Sequence, residues 1–232
     1  MELIEKAIVL NSIDYGDADK LVSLFCENEG KITAKIRGVR KAKAKLAMAT
    51  QPMYFGEFEL IKKGDLYQII NSSPIDTNFD KISDYDVFVV CAKMLKIIQT
   101  ATYSGVCGGD ILANILRALQ YIDATNRYVI FVKFVLELMS SIGYDIQFGV
   151  CGNCGKSSDN MYLDAVSGLM LCDNCSSVPP SKLDYKILKL ISTTEYDKLH
   201  TLNLKQYNLM GIANNLVSFT NYRLNSNIEH FV

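Results

Sequence analysis

Histidine is nearly absent from this chain: His200 and His230 are the only two in 232 residues. They stand in separate C-terminal contexts, so a serine or cysteine nucleophile has little material for a paired base. The nucleotide-binding pattern GxxxxGK[ST], a GxGxxG followed by an acidic residue, and the metallopeptidase pattern HExxH are all missing. No apolar run approaches the ~18 residues that span a bilayer; the densest pieces, VFVVCA from Val87 and YVIFV from Tyr128, suit a core helix or strand. The opening MELIEKAIVLNS has acids on both sides of a short apolar stretch and no small-residue cleavage pattern, so it does not read as a signal peptide. Together these absences lead to the expectation of a binding protein, not an enzyme, that stays in the cytoplasm and off the membrane.

One further absence is local. Between Glu29 and Glu57 there is no acidic side chain, while Lys31, Lys35, Arg37, Arg40, Lys41, Lys43 and Lys45 all fall there. The whole chain carries 24 Lys plus Arg against 25 Asp plus Glu, a formal net charge of −1, so everything outside this island is acidic in balance. Segregated charge of this kind steers a polyanion where net charge does not.

Turning to what is present, 49% hydrophobic residues are ample for buried cores. KAIVLNSI, LVSLFCENEGKITAKIRG and YFGEFELIKKGDLYQII show alternating or β-rich texture, with ENEG and KKGD as turns, which gives a first strand and two hairpins. Five short strands close most naturally as a barrel of the oligonucleotide-binding (OB) kind, although five strands also suit an SH3-like barrel. After SSP at 72–74 the spacing becomes helical in VFVVCAKMLKIIQT, ILANILRALQYI and RYVIFVKFVLELMSSI, and again in LDYKILKLIS and YNLMGIANNLVSFTNYRL. The third of these is apolar almost all round, the mark of a central helix, and Gly143 is placed to end it. The expectation is an α+β protein: an OB-like barrel over 1–75, then an α-helical domain over 76–232 with a zinc-ribbon-like insert at 150–178.

That insert rests on four of the seven cysteines. CGNCGK and LCDNCSS supply Cys151, Cys154, Cys172 and Cys175 as two CxxC pairs with seventeen residues, 155–171, between them. This is zinc-ligand spacing. YLDAVSGLML between the pairs reads as a hairpin that returns the second pair to the first, and four thiolates complete a tetrahedron with no open position, so the expected ion is structural. A redox CxxC would need a βαβ context and a single motif. The remaining cysteines, Cys26, Cys91 and Cys107, lie in apolar or small-residue surroundings.

The island begins on a strand whose alternation puts Lys31, Thr33, Lys35 and Arg37 on one face and Ile32, Ala34 and Ile36 on the other. It continues into the loop GVRKAKAKLA. A cationic barrel face beside a basic, flexible loop can track a phosphate backbone. Binding would then be electrostatic and sequence-independent, with a log–log salt slope of at most about −5 if all seven cations pair with single-strand phosphates. Tyr54, Phe55 and Tyr67 are available for base stacking but suit the core equally well. Asp14, Asp17 and Asp19 read as polar loop residues and not as a magnesium cluster, because hard-cation ligands are usually spread over more than one local turn. A rival reading is a protein–protein adaptor whose basic loop takes an acidic partner tail and which binds no DNA itself.

The continuous segment DYGDADKLVSLFCENEGKITAKIRGVRKAKAKLAMATQPM resembles the N-terminal region of the RecO family of bacterial recombination mediators, at Asp17, Asp19, Gly30, Lys31, Gly38, Arg40, Lys41, Gln51 and Pro52. The order of barrel, helices, CxxC pairs and helices is similar to that family across essentially the whole chain. Cys26 and Ala44 depart from it, standing where Thr and Ser are more frequent. The resemblance implies a protein that binds single- and double-stranded DNA, anneals complementary strands, contacts the acidic, apolar tail of single-strand DNA-binding protein, and works with RecR to load RecA. It also implies one structural Zn2+ and a nucleoid-associated place in the cytoplasm.

Overall fold

The computed structural model describes residues 2–41, 44–64, 66–75, 83–105, 108–177 and 182–232. Lys43 and Cys107 lie outside the described residues, as do residue 76 at the expected domain junction and residue 178 at the end of the expected insert. By its internal contacts the chain divides into two compact units, Met1–Gln120 and Tyr121–Val232.

The first unit contains β1 (Glu2–Tyr15), β2 (Asp19–Cys26), β3 (Gly30–Ile36), β4 (Phe55–Lys63) and β5 (Leu66–Pro74), then α1 (Tyr85–Ala101) and α2 (Gly109–Tyr121, which ends at the unit boundary). The strands close into a barrel in the order β1-β2-β3-β5-β4. Strand β1 is long enough to serve two neighbours, pairing β4 through its first half and β2 through its second, with a register shift between Val9 and Asn11. Such an irregularity bends a strand and lets a sheet curl shut. Closure comes from a short parallel seam, Ala34 with Tyr67 and Lys35 with Gln68. The core is the inward half of the alternation: Val22, Leu24, Ile32, Ala34, Ile36, Phe58, Leu60 and Ile69 are all buried. At Gly56 a Cβ would lie 2.6 Å from the Tyr54 ring and 2.7 Å from Ser73 O, so this crossing has room for glycine alone.

Between β3 and β4 the described residues are arranged in turns. Amides of Lys41, Ala44, Ala47 and Thr50 each donate to the carbonyl three residues earlier, making a succession of turns. Val39 and Ala49 bury in the barrel core, with Ala44 and Leu46 packed half-buried against it. The run ends in a Gln51–Tyr54 turn, closed by Tyr54 N to Gln51 O at 3.1 Å, in which Met53 takes φ 71° after Pro52. Proline pre-sets the first central position of such a turn, and the left-handed second position is where glycine is usual.

Helix α1 starts on Asp84, whose carboxylate accepts from the amides of Asp86 and Val87, and ends on Thr102. The connection to α2 is pinned to the β2–β3 hairpin by Gly108 N to Glu27 O at 3.1 Å and by a bridge between Gly30 and Ser104.

The second unit contains α3 (Arg127–Ser141), the hairpin β6 (Met161–Leu163) with β7 (Met170–Cys172), α4 (Lys182–Thr193), a short 3-10 turn (Tyr196–Thr201) and α5 (Leu209–Leu224). Helix α3 is buried from Val129 to Met139 apart from Glu137, as its all-round apolar sequence requires. Its one buried cation, Lys133, donates to Ser192 O near the end of α4 at 2.9 Å and pairs with Glu137 at 3.0 Å. Gly143 adopts φ 90° just past the helix, where Tyr144 N closes back on Met139 O at 2.7 Å. The 3-10 turn had no counterpart in the sequence expectations.

Candidate nucleic-acid interface and metal centre

Strand β3 and the turns after it carry the basic island, and the structure divides its cations into two groups. Lys31, Lys35 and Arg40 are held by the protein itself. Lys31 Nζ donates to Gln99 O at 2.7 Å, and burial lowers the lysine's pKa. Lys35 Nζ sits 2.9 Å from Asp19 Oδ2, while Arg40 reaches Asp14 Oδ2 at 3.1 Å and Gly16 O at 2.9 Å. Asp19 also accepts from the amide of Gly38 at 2.8 Å, a glycine in the left-handed region at φ 64°. The Lys35 ammonium, followed by that amide, lowers the Asp19 pKa. Asp14 and Asp19 are therefore counterions that tie the β1–β2 turn to β3. Sequence order hides this pairing, but the hairpin register reveals it: Lys20 opposes Ile36, which brings Asp19 level with Arg37 and diagonal to Lys35.

Arg37, Lys41 and Lys45 form the second group. All three are exposed, and their side chains have no ion pair or hydrogen bond among the described residues. Among the described residues of the island they are the cations most available to an external anion. Of the aromatics weighed for stacking, Tyr54 and Tyr67 are buried: Tyr54 packs edge-on to Phe58 with its hydroxyl 3.1 Å from Ser72 Oγ, and Tyr67 donates to Glu29 at 2.8 Å. That hydrogen bond and burial together, burial first, raise the Tyr67 pKa to about 12. Cys26 is fully buried in the barrel, so its thiol meets no phosphate there.

In the second unit, Cys151, Cys154, Cys172 and Cys175 come together with all four sulfurs within 4.8 Å of one another. The hairpin β6–β7 makes this possible by pairing Met161 with Cys172 and carrying the second CxxC back to the first. Each CxxC then turns tightly: Gly155 N donates to Cys151 O, and Cys175 N and Ser176 N both donate to Cys172 O, each at 2.9 Å. Sulfurs bound to one zinc at about 2.3 Å would stand about 3.8 Å apart on a tetrahedron, and Cys154 Sγ lies 3.8 Å from Cys172 Sγ. Backbone amides of Cys154 and Cys172 hold the Cys151 thiol pKa down, against burial, at about 6. The shift favours the thiolate, the metal-binding form. The donor set fits a divalent ion, with all four cysteines as ligands and no place left for substrate.

The hairpin is gripped from outside by α5, where Asn215 Nδ2 donates to Leu163 O at 3.3 Å and the Arg223 guanidinium donates to Ser167 O. Among the described residues no helix is long and apolar enough to cross a membrane.

Barrel, helices and thiolate hairpin define an OB-barrel protein with a helical C-terminal part and a four-cysteine metal-type site. Comparison with known proteins narrows that class. The family model "Recombination protein O N terminal" matches residues 1–78, and "Recombination protein O C terminal" matches residues 110–229. Among curated relatives, the DNA repair protein RecO of Clostridium novyi is 28% identical over 205 residues, 86% of this chain and 80% of that protein. The RecO of Acetivibrio thermocellus is 29% identical over 171 residues (72% and 68%), and that of Clostridium perfringens is 27% identical over 214 (89% and 87%). The chain belongs to the RecO family of DNA repair proteins.

Proposed function

We propose that this chain is a sequence-independent binder of single- and double-stranded DNA that anneals complementary strands. In this reading it acts with RecR and the tail of single-strand DNA-binding protein to load RecA onto coated DNA. The barrel, residues 1–75, holds the phosphate backbone, and the helical part, 76–232, carries the zinc-stabilised insert at 150–178. The carrying observation is the outward row on β3 and the turns beyond it, where Arg37, Lys41 and Lys45 stand exposed and unpaired among the described residues. Cations that neutralise both strands lower the repulsion opposing their encounter, so annealing needs no bond made or broken. Zinc at the four cysteines would supply folding energy to a hairpin too small to bury a core of its own.

The internal ion pairs sharpen the expected salt dependence. Three free cations predict a single-strand slope of about −2, and release of all seven predicts about −5. Fluorescence anisotropy of a labelled oligonucleotide, titrated from low to physiological salt, measures it. The Arg37→Ala/Lys41→Ala/Lys45→Ala variant should lose about two units of slope and weaken on every sequence alike. An unchanged slope would remove these residues from the interface, and a wild type that fails to bind at low salt would leave the adaptor reading in its place. Strand annealing and RecA activity on coated DNA, with and without RecR, test the mediator steps separately.

A further inference from the structure

Two tyrosines stand beside the cations of β3 with much of their surface open to solvent. Tyr15, the last residue of β1, is 47% exposed and has Lys35 Nζ 4.6 Å from its ring centroid. Tyr103, just beyond α1, is 75% exposed and has Lys31 Nζ 5.8 Å from its centroid. Neither ring packs into a core, and neither hangs from a free segment. Tyr15 is paired with Asp19 across the β1–β2 turn, and Asp19 holds the Lys35 ammonium from its other side. Tyr103 sits between Thr102, whose hydroxyl and amide both return to Ile98 O, and Ser104, which bridges to Gly30. Beside Tyr103, over the β3–β5 seam, opens a cleft of 370 Å³ walled by Glu29, Thr33, Lys62, Leu66, Tyr67 and Ser104 among others. That volume is in the range of small-ligand sites.

Lys31 and Lys35 are four residues apart on one strand, about 13 Å at ~3.3 Å per residue. That is a span of a few nucleotides, the scale on which one OB barrel tracks a strand. A ring at each end of such a span suits a strand whose bases turn onto the rings while its phosphates stay open to the exposed cations of the island. We infer that Tyr15 and Tyr103 are stacking platforms for unpaired bases, making this face selective for single-stranded over double-stranded DNA. The inference rests on the proposed DNA-binding reading and adds the selectivity that a row of cations lacks. Bases in a duplex are already stacked and hidden from these rings, whereas phosphates are available in both forms.

The test compares affinity for a labelled dT oligonucleotide and for a duplex of equal length. Stacking on one aromatic ring is worth about 1–3 kcal/mol per base, or about five- to over a hundredfold in affinity. The Tyr15→Ala/Tyr103→Ala variant should lose at least that factor on the single strand, keep duplex binding within about twofold, and keep the wild-type salt slope. Tyr15→Phe/Tyr103→Phe should restore single-strand affinity. Because the chain contains no tryptophan, Tyr103→Trp places a lone indole in the site, whose emission dT oligonucleotide should quench and inorganic polyphosphate should not. Equal losses on single strand and duplex would overturn the stacking role, as would an alanine variant that binds the single strand like wild type while the triple cation variant does not. If neither variant changes binding, the DNA reading of this face fails as well. Should the double alanine variant fail to fold, the Tyr103→Trp signal decides: an unquenched indole on a chain that still binds DNA overturns the inference.

Discussion

The basic turns after β3 and the cysteine hairpin between β6 and β7 are both polar excursions from a folded body, and they are ordered by different means. The turns bury Val39 and Ala49 in the barrel core and pack Ala44 and Leu46 against it, while Arg40, Lys41 and Lys45 point outward. Apolar anchors thus alternate with cations in one short run. The hairpin brings three residues per strand, and it converges on four sulfurs. One region borrows the core of its neighbour; the other concentrates charge that only a cation can offset. Lys41 and Lys45 in the first are therefore free to serve a ligand, while Arg40 is held by Asp14. The charges in the second are committed to the fold.

The largest effect expected from breaking this contrast is on the cysteine side. Replacing Cys151 and Cys154 with Ser, or removing the ion with a chelator, withdraws metal-linked folding energy on the order of 10 kcal/mol. Hydrogen exchange should then show Met161–Cys172 losing protection while β2 and β3 keep theirs; a hairpin equally protected without metal would sink the assignment. Next comes Lys133→Met in α3. Removing the ammonium leaves Glu137 without its partner and Ser192 O without its donor, and breaking a largely buried pair costs about 3–5 kcal/mol, to be read from denaturant midpoints. A midpoint at or above wild type would show that methionine packing replaces the pair. On the turn side, Val39→Ala removes two buried methyl equivalents, about 1.6 kcal/mol at ~0.8 each, so a modest loss of stability should accompany weaker DNA binding. The triple variant at Arg37, Lys41 and Lys45 should instead leave thermal stability nearly unchanged, since exposed substitutions rarely exceed about 0.5 kcal/mol each.

The smallest effect concerns Asp19 and has a definite sign. Its folded pKa lies below the ordinary value because of Lys35 and the Gly38 amide. Its contribution is therefore fully present above the unfolded carboxylate pKa of about 4 and is lost as pH falls through the lowered folded value. The β1–β2 tether should persist through mildly acid solution, and Asp19→Asn should flatten the acid limb of the stability curve. Freed from Asp19, Lys35 should add up to about 0.7 to the magnitude of the salt slope on single strands.

Strand alternation made the barrel readable, because Ile32, Ala34 and Ile36 can be buried together on one face only. Helical spacing did the same for α1 to α5, and two CxxC pairs at zinc spacing identified the metal-type site before any geometry was available. The ion pairs were hidden for a physical reason: Asp14 and Asp19 look like turn residues until the hairpin register sets them beside Arg40 and Lys35. Tyr15 and Tyr103 were hidden likewise, because one ends a strand, the other follows a helix, and only the closed barrel brings both beside β3. The KAKAK alternation carries no signal for successive turns, and the 3-10 turn at Tyr196–Thr201 is too short to show a period.

A cylinder woven from strands is only as continuous as its narrowest join, and here that join is Ala34–Tyr67 with Lys35–Gln68. Its neighbours β1–β2 and β4–β5 are paired along most of their length. Unzipping would therefore begin along this line, turning β3 into an exposed margin with unmet amides and carbonyls, the kind of border that recruits a strand from another molecule. The cations standing along that margin would repel a second copy of themselves.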